Sequence, residues 1–206
     1  MTTLTPRAQA TRARLLDAAF REIARQGYDG ATVDSIAERA GVSKGAFYGH
    51  FPTKDAAFEA VVREQCEVRR QQLREACEAE LEQGRSAMEA GFAAGFSTAL
   101  DDPDWPKVFL EHARFAERDA EAAATHAAEY AAWAELIAEL LDRSREMGLL
   151  SFDGEARAVA RVLMAVVDGF SIQAIIDPES VHKDEVAPMV AQLFSRALGG
   201  EAANAG

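Results

Sequence analysis

The amino-acid sequence predicts an all-α protein of about nine helices. Apolar residues recur at i, i+3 and i+4 in successive segments, and glycines, prolines and capping residues separate those segments. About half of the 206 residues are apolar, which indicates a globular chain with a sizeable core.

The first predicted helix runs from about Pro6 to Gln26. Thr5 suits its N-cap, and Gly27 suits its end because glycine adopts the left-handed conformation easily. Arginines near its start contact phosphates or form a solvated face, and the sequence leaves both readings open for Arg7, Arg12 and Arg14.

The stretch from Thr32 to Lys54 predicts two short helices joined by a tight turn. Thr32 caps the first helix, Ser43 caps the second, and Gly41 permits a left-handed backbone between them. This spacing is typical of a helix-turn-helix. The second helix leaves small residues and hydrogen-bond donors exposed, namely Lys44, Gly45, Ala46, Tyr48 and Gly49. That face suits a major groove flanked by phosphates, and the alternative is an αα-hairpin without a ligand.

The net charge of −12 disfavours nucleic-acid binding, but the acidic surplus is confined to one part of the chain. Residues 1–55 carry 8 Lys/Arg and 6 Asp/Glu, whereas the remainder carries 14 and 28. The acidic remainder of the chain, residues 56–206, is called the body below. Because the body repels DNA and the first quarter of the chain does not, one docking orientation is favoured.

The run from Arg14 to Phe58 resembles the N-terminal domain of the TetR family of bacterial transcriptional regulators. The matching features are the glycine after the first helix, Thr32, Ile36, Ala37, Ala40-Gly41-Val42-Ser43, Gly45, Tyr48-x-His50-Phe51 and Lys54. The resemblance implies that the helix beginning at Ser43 enters the major groove. It implies phosphate contacts from Thr32, Tyr48, His50 and Lys54, and base edges near Ser43, Lys44, Gly45 and Ala46. His50 has a structural alternative, and Gly49 stands where the family often has a larger side chain.

Six further helices are predicted after the helix-turn-helix, which is called the reader below. The first is a long helix from Thr53 to about Gln83, followed by one opened by a Ser86–Glu89 capping box and a break at 101–106. The rest are a helix containing Val108 and Phe115, one from about Asp119 to Met147, one from about Gly154 to Ile176 capped by Asp153, and one from about Lys183 to Leu198. The predicted organisation is a three-helix helix-turn-helix DNA-binding domain at 1–53, a helical ligand-binding and dimerisation domain at 54–200, and a disordered tail at 201–206.

Aromatic residues concentrate in the middle third of the chain, beside alanine and glycine. They form an ordinary core or line a cavity for an apolar ligand, and the resemblance favours a small-molecule site. The candidate ligand-binding residues are Phe92, Phe96, Phe109, His112, Phe115, Tyr130 and Trp133.

The last two helices are candidates for a homodimer interface. The helix ending at Ile176 is apolar on most of its circumference and must therefore be buried on most sides. Two such helices per chain form a two-fold four-helix interface, as the resemblance also implies, or are buried within one chain. The predicted interface residues are Val159, Leu163, Val166, Val167, Phe170, Met189 and Leu193.

Other function classes are less well supported by the sequence. Cys66 and Cys77 fit neither a disulfide nor a metal template, and there is no Gly-rich phosphate loop or HExxH, so no cofactor, metal or catalytic residue is expected. No apolar run approaches membrane-spanning length and no signal core is seen, which predicts a cytoplasmic protein without a membrane partner. An enzyme and a protein-interaction scaffold remain as alternatives.

The resemblance implies a mechanism in which a homodimer binds a pseudo-palindromic operator in double-stranded DNA. A small-molecule effector in the body moves the long helix and changes the distance between the two readers. Repression is the default direction in this family, and a transcriptional activator or a ligand-independent DNA-binding protein is the alternative.

Overall fold

The computed structural model describes residues 5–199, and these form nine α-helices, as predicted. The helices are α1 Pro6–Gly30, α2 Val33–Ala40, α3 Lys44–His50, α4 Lys54–Leu81, α5 Met88–Leu100, α6 Asp104–Ala116, α7 Ala120–Glu146, α8 Ala156–Ile176 and α9 Lys183–Ala197. The predicted tail at 201–206, like Gly200, lies outside the described residues.

Several helix ends lie at capping residues, prolines and glycines of the sequence. Thr5 caps α1 by accepting a hydrogen bond from the Ala8 N–H at 3.3 Å, and Pro6 occupies the first turn. Gly27 has φ 73° and breaks the helical path of α1 three residues before its end. Gly148 likewise takes a positive φ just beyond α7.

Three predicted helix starts are wrong. The hydroxyl of Ser86 accepts from the Met88 N–H at 3.3 Å, and no side chain caps α5. The predicted break at 101–106 is only half correct, because α6 begins at Asp104. Asp153 does not cap α8, which begins three residues later.

The described chain divides into two compact units that are not continuous in sequence. Unit 1 comprises residues 5–66 and 107–127, and unit 2 comprises residues 67–106 and 128–199. The boundaries fall inside α4, α6 and α7. The helix-turn-helix therefore shares its unit with most of α6, which follows it by more than fifty residues.

A buried polar network lies inside unit 1. His112 on α6 is completely buried, and its Nε2 lies 3.0 Å from Glu59 Oε1 on α4. Its Nδ1 lies 3.0 Å from Nδ1 of His126 on α7. Arg63 lies 3.6 Å from the second Glu59 oxygen and donates to the Thr125 hydroxyl at 2.9 Å. Because the two Nδ1 atoms share a single proton, full protonation of both rings breaks this contact.

The network predicts a loss of stability in acid. Burial, reinforced by the charge of His112, lowers the pKa of His126 from 6.5 to about 4. The folded state therefore binds this proton more weakly than the unfolded chain does. The contribution of His126 to the free energy of unfolding is fully present above pH 6.5 and is lost as the pH drops towards 4. We expect His126→Gln to reduce the fall in melting temperature between pH 7 and pH 5 by roughly 3–5 °C.

The matched control for this pH series is His182→Gln, because His182 is exposed at the start of α9. This variant should show the wild-type pH dependence. Equal slopes for the wild type and His126→Gln would show that His126 does not contribute to the pH dependence of stability.

The core of unit 2 is built on α5, against which α8 and α9 both pack. Phe96 is fully buried, and its ring meets that of Phe170 edge-on at 5.5 Å. The Phe92 ring lies 5.5 Å from that of Phe194 on α9. Phe170 of α8 thus packs within the protomer.

One face of α8 remains exposed although it is apolar. Its exposed small and apolar residues, together with the half-buried Gly169, follow alternating spacings of four and three, which form one straight seam along the helix. The seam consists of Ala158, Val162, Ala165, Gly169, Ile172 and Ile176, with Val162 54% and Ile176 77% exposed. On α9, Met189 and Leu193 are also more than half exposed.

This face changes two expectations. Leu163 is 8% exposed and lies in the core of its own protomer, where Val159, Val166, Val167 and Phe170 also pack, so the predicted α8 interface stripe faces inward. By length and composition alone α8 could also cross a membrane, which the sequence analysis did not anticipate. Asp168 interrupts its apolar surface, and the carboxylate accepts a hydrogen bond from the Tyr130 hydroxyl at 3.0 Å.

Candidate DNA-binding site

The turn between α2 and α3 is fixed by local hydrogen bonds. Gly41 has φ 66°, and its N–H donates to the Glu38 carbonyl, while the Val42 N–H donates to the Ala37 carbonyl, both at 3.0 Å. Phe47 and Phe51 are buried beneath α3 and orient the helix. The opposite side of α3 is thereby presented outward.

The outward side of α3 is small and uncrowded. Gly45 and Gly49 are exposed, and a Cβ at Gly49 would have no neighbour within 4 Å. Tyr48 is 49% exposed, and its ring meets the buried Phe47 ring edge-on at 5.5 Å. A binding partner can therefore approach the backbone of α3 closely, and the Tyr48 hydroxyl offers it a hydrogen bond on the same side of the helix.

Lys44 stands at the first position of α3, where its ammonium group donates to Asp34 Oδ2 on α2 at 2.8 Å. That hydrogen bond raises the pKa of Lys44. Both side chains are exposed, so the pair competes with solvent and with any phosphate. The sequence did not indicate that Asp34 is the partner of Lys44.

Two of the predicted DNA-contacting side chains also serve as helix caps. The hydroxyl of Thr32 accepts from the Ser35 N–H, and that of Ser43 accepts from the Ala46 N–H, each at 3.1 Å. Both residues are exposed, whereas Ala46 and His50 are half-buried. Caps set the starts of both helices, so Thr32 and Ser43 position the reader whatever else they contact.

Lys54 does not extend freely from the surface. Its ammonium group donates to the carbonyl oxygens of Tyr28 at 2.8 Å and Ala31 at 2.9 Å, and it lies 4.0 Å from the centre of the Tyr28 ring. The side chain is half-buried. Lys54 thus links the start of α4 to the chain at the end of α1, and its phosphate contact stays a prediction.

Several arginine side chains of unit 1 bind carboxylates of the same unit. Arg12 donates to Glu64 at 3.2 Å and lies over the Phe51 ring at 5.4 Å. Arg39 donates at 2.6 Å to Glu22, which is 3% exposed and also accepts from Arg25 at 2.9 Å. These contacts join α1 to α2 and to α4.

The predicted ligand-binding residues divide between the two units. Phe109, His112 and Phe115 lie in unit 1, and Phe92, Phe96, Tyr130 and Trp133 lie in unit 2. His112 is fully buried with both ring nitrogens in contact with protein groups, so its ring is part of a core and does not face a cavity.

A cavity of about 470 Å³ lies in unit 2 between α4 and α5. It is lined by Val68, Arg69, Gln72, Ala94, Ser97, Thr98, Asp101 and Asp102, none of which was predicted. Arg69 donates to Asp102 at 2.8 Å, and Lys183 donates to Asp101 at 2.5 Å. The lining charges are thus compensated, and the amide of Gln72 and the hydroxyl of Ser97 add polar groups to the wall.

Comparison with known proteins gives two family matches along the chain. Residues 15–61 match the family of bacterial regulatory proteins called tetR, and residues 84–199 match the C-terminal region of BetI-type transcriptional repressors. The HTH-type transcriptional repressor Rv1474c of Mycobacterium tuberculosis is 32% identical over 160 residues, which is 78% of this chain and 80% of that protein.

Two further similarities extend over most of the chain. The HTH-type transcriptional repressor AcnR of Corynebacterium efficiens is 28% identical over 183 residues, covering 87% of this chain and 90% of that one. The solved SmeT–triclosan complex has a TM-score of 0.75 at 24% identity and covers 95% and 94% of the two chains. The matches to both the reader and the body show that the chain belongs to the TetR family of DNA-binding bacterial transcriptional regulators.

Proposed function

We propose that the protein is a homodimeric repressor that places α3 of each protomer in the major groove of a pseudo-palindromic operator. The observation that carries the proposal is the outward side of α3, where Lys44, Gly45 and Tyr48 surround an open approach at Gly49. The two recognition helices then lie about 34–36 Å apart, one turn of DNA, or a multiple of that distance. The repressor names of the similar proteins favour repression over activation. A DNA-bound regulator of this kind works in the cytoplasm, and the proposal includes no catalytic step.

The dimer forms through the exposed seam of α8 together with Met189 and Leu193 of α9. Exposed apolar patches of this kind mark interaction surfaces. The small residues Ala165 and Gly169 lie between Val162 and Ile172 along the seam and let two helices approach closely around a two-fold axis. Self-association also accounts for a long apolar helix of which only a small part is buried within the protomer.

Effector binding opposes operator binding in this proposal. The cavity between α4 and α5 has the size of a small-molecule site and is the candidate effector site. The SmeT structure contains triclosan, which supports a small organic effector for this fold. Since α4 runs without interruption from Lys54 to Leu81, it connects the reader to the cavity wall. An effector acts only if it favours one spacing of the readers, so effector and operator weaken each other reciprocally.

The test is operator binding over a salt series, using a short palindrome from upstream of the protein's own gene. The wild-type protein should bind it more tightly than a scrambled duplex and should lose affinity as salt rises. Tyr48→Ala should weaken operator binding about 10-fold with little change in melting temperature, because Tyr48 is half exposed.

Met147→Ala is the control, because Met147 is 46% exposed, lies just beyond α7, and belongs to neither the cavity wall nor the α8 seam. It should leave operator affinity at the wild-type level. Equal binding of the wild type to all duplexes would reduce the protein to a nonspecific binder and contradict the proposal.

A further inference from the structure

The segment joining α1 to α2 is held from outside the helix-turn-helix. At Gly27 the backbone leaves the helical path, and the N–H of the next residue, Tyr28, finds a partner outside α1. This N–H donates to Glu111 Oε1 on α6 at 3.0 Å. Tyr28 is 6% exposed, so its N–H depends on this carboxylate for its hydrogen bond.

The approach of Glu111 is close. A Cβ built on Gly27 would lie 3.3 Å from Glu111 Oε1, and φ 73° at Gly27 also favours glycine. Two other side chains of the same region of chain reach the segment: the Phe115 ring lies 4.6 Å from the Tyr28 ring, and Arg118 donates to Asp29 at 3.0 Å. Glycine at position 27 thus makes room for the carboxylate.

The opposite side of the segment is held by α4. Lys54 donates to the carbonyl oxygens of Tyr28 and Ala31, and the Phe58 ring stacks on Tyr28 at 5.1 Å. The Tyr28 hydroxyl donates to the carboxylate of Asp55. The peptide groups of Tyr28 are therefore fixed on one side by an anion from α6 and on the other by a cation from α4.

The position of α6 is fixed by His112, the residue next to Glu111. His112 is completely buried and contacts α4 through Glu59 and α7 through His126. α6 cannot slide without breaking this network, so the position of Glu111 is determined by the core of unit 1. Thr32, which caps α2, follows Ala31 directly, and its placement depends on the held segment.

We propose that Glu111 is a positioning residue for DNA reading, acting by fixing the Tyr28 N–H and through it the start of α2. This role rests on the proposed operator binding. Without the hydrogen bond the 27–31 segment samples other arrangements, and operator affinity falls in proportion to the fraction that keeps the competent one.

The experiment compares Glu111→Ala with Glu111→Gln, which remove the same charge. Only the amide oxygen of glutamine can still accept from the Tyr28 N–H. We expect Glu111→Ala to weaken operator binding about 10-fold relative to Glu111→Gln, as when a tenth of the molecules keep the competent arrangement. Hydrogen exchange of the Tyr28 amide should accelerate in the alanine variant and stay slow in the glutamine variant. Arg114→Ala, which removes the ion-pair partner of Glu111 at 3.3 Å, should change neither.

The outcomes separate positioning from mere stabilisation. If Glu111→Ala lowers the melting temperature but binds operator like Glu111→Gln at a temperature where both are folded, the positioning role is wrong. Equal losses in both variants would point to the charge and not the hydrogen bond, and would also overturn it. A wild-type protein that binds no operator would instead overturn the proposed function itself.

Discussion

Replacing Val162 by glutamate is expected to dissociate the homodimer and to weaken operator binding at least about 100-fold, because two linked readers bind far more tightly than one. Val162 is 54% exposed in the α8 seam, so the substitution leaves the core of the protomer intact. In the dimer, each glutamate would be buried against an apolar partner surface without a cation, which is strongly unfavourable.

The control is Met147→Glu, which introduces the same side chain at an apolar residue of similar exposure, 46%, just beyond α7. Sedimentation of both variants, with melting temperature as the measure of folding, checks the result. A Val162→Glu protein that remains dimeric at the concentrations used for DNA binding would move the interface away from α8. Dissociation of Met147→Glu as well would show that the effect is not specific to the seam.

The helix-turn-helix was predictable because its determinants are local. The caps at Thr32 and Ser43 act over three residues, and the left-handed Gly41 acts within one turn. Each depends only on residue type at a fixed offset, so one sequence is enough to identify them. The same holds for the helix stop at Gly27.

The seam of α8 was not predictable, because the helix is apolar around most of its circumference. Periodicity then identifies several stripes and cannot decide which of them α5 covers. The structure assigns the stripe with Leu163 to the core and leaves the stripe with Val162 exposed. A one-residue offset along the helix, equal to a rotation of about 100°, separates the two.

Partners distant in sequence account for the remaining differences. Lys54 was expected at the DNA, but the carbonyl oxygens that receive its ammonium group belong to Tyr28 and Ala31, more than twenty residues away. His112 was expected beside a ligand, but its partner Glu59 lies 53 residues earlier. The sequence shows that a lysine or histidine can form hydrogen bonds. Only the tertiary structure shows which group is its partner.

The second large effect is expected from the pair formed by Lys44 and Asp34. Lys44→Gln should weaken operator binding roughly 10-fold and should reduce the slope of log affinity against log salt by about 2 for the dimer, because each protomer loses one cation that displaces a counterion from the DNA. Stability should stay at the wild-type level, because both members of the pair are exposed.

Asp34→Asn tests whether the carboxylate restrains the lysine or simply repels DNA. In the free protein Asp34 holds the Lys44 ammonium at 2.8 Å, so its removal should strengthen operator binding. If Asp34 acts through Lys44, the gain disappears when Asp34→Asn is combined with Lys44→Gln, because no ammonium remains to be released. If the gain persists in the double variant, Asp34 acts by direct repulsion of phosphates, and the restraint on Lys44 has no role in binding. A Lys44→Gln protein with the wild-type salt slope would place this lysine away from the DNA backbone altogether.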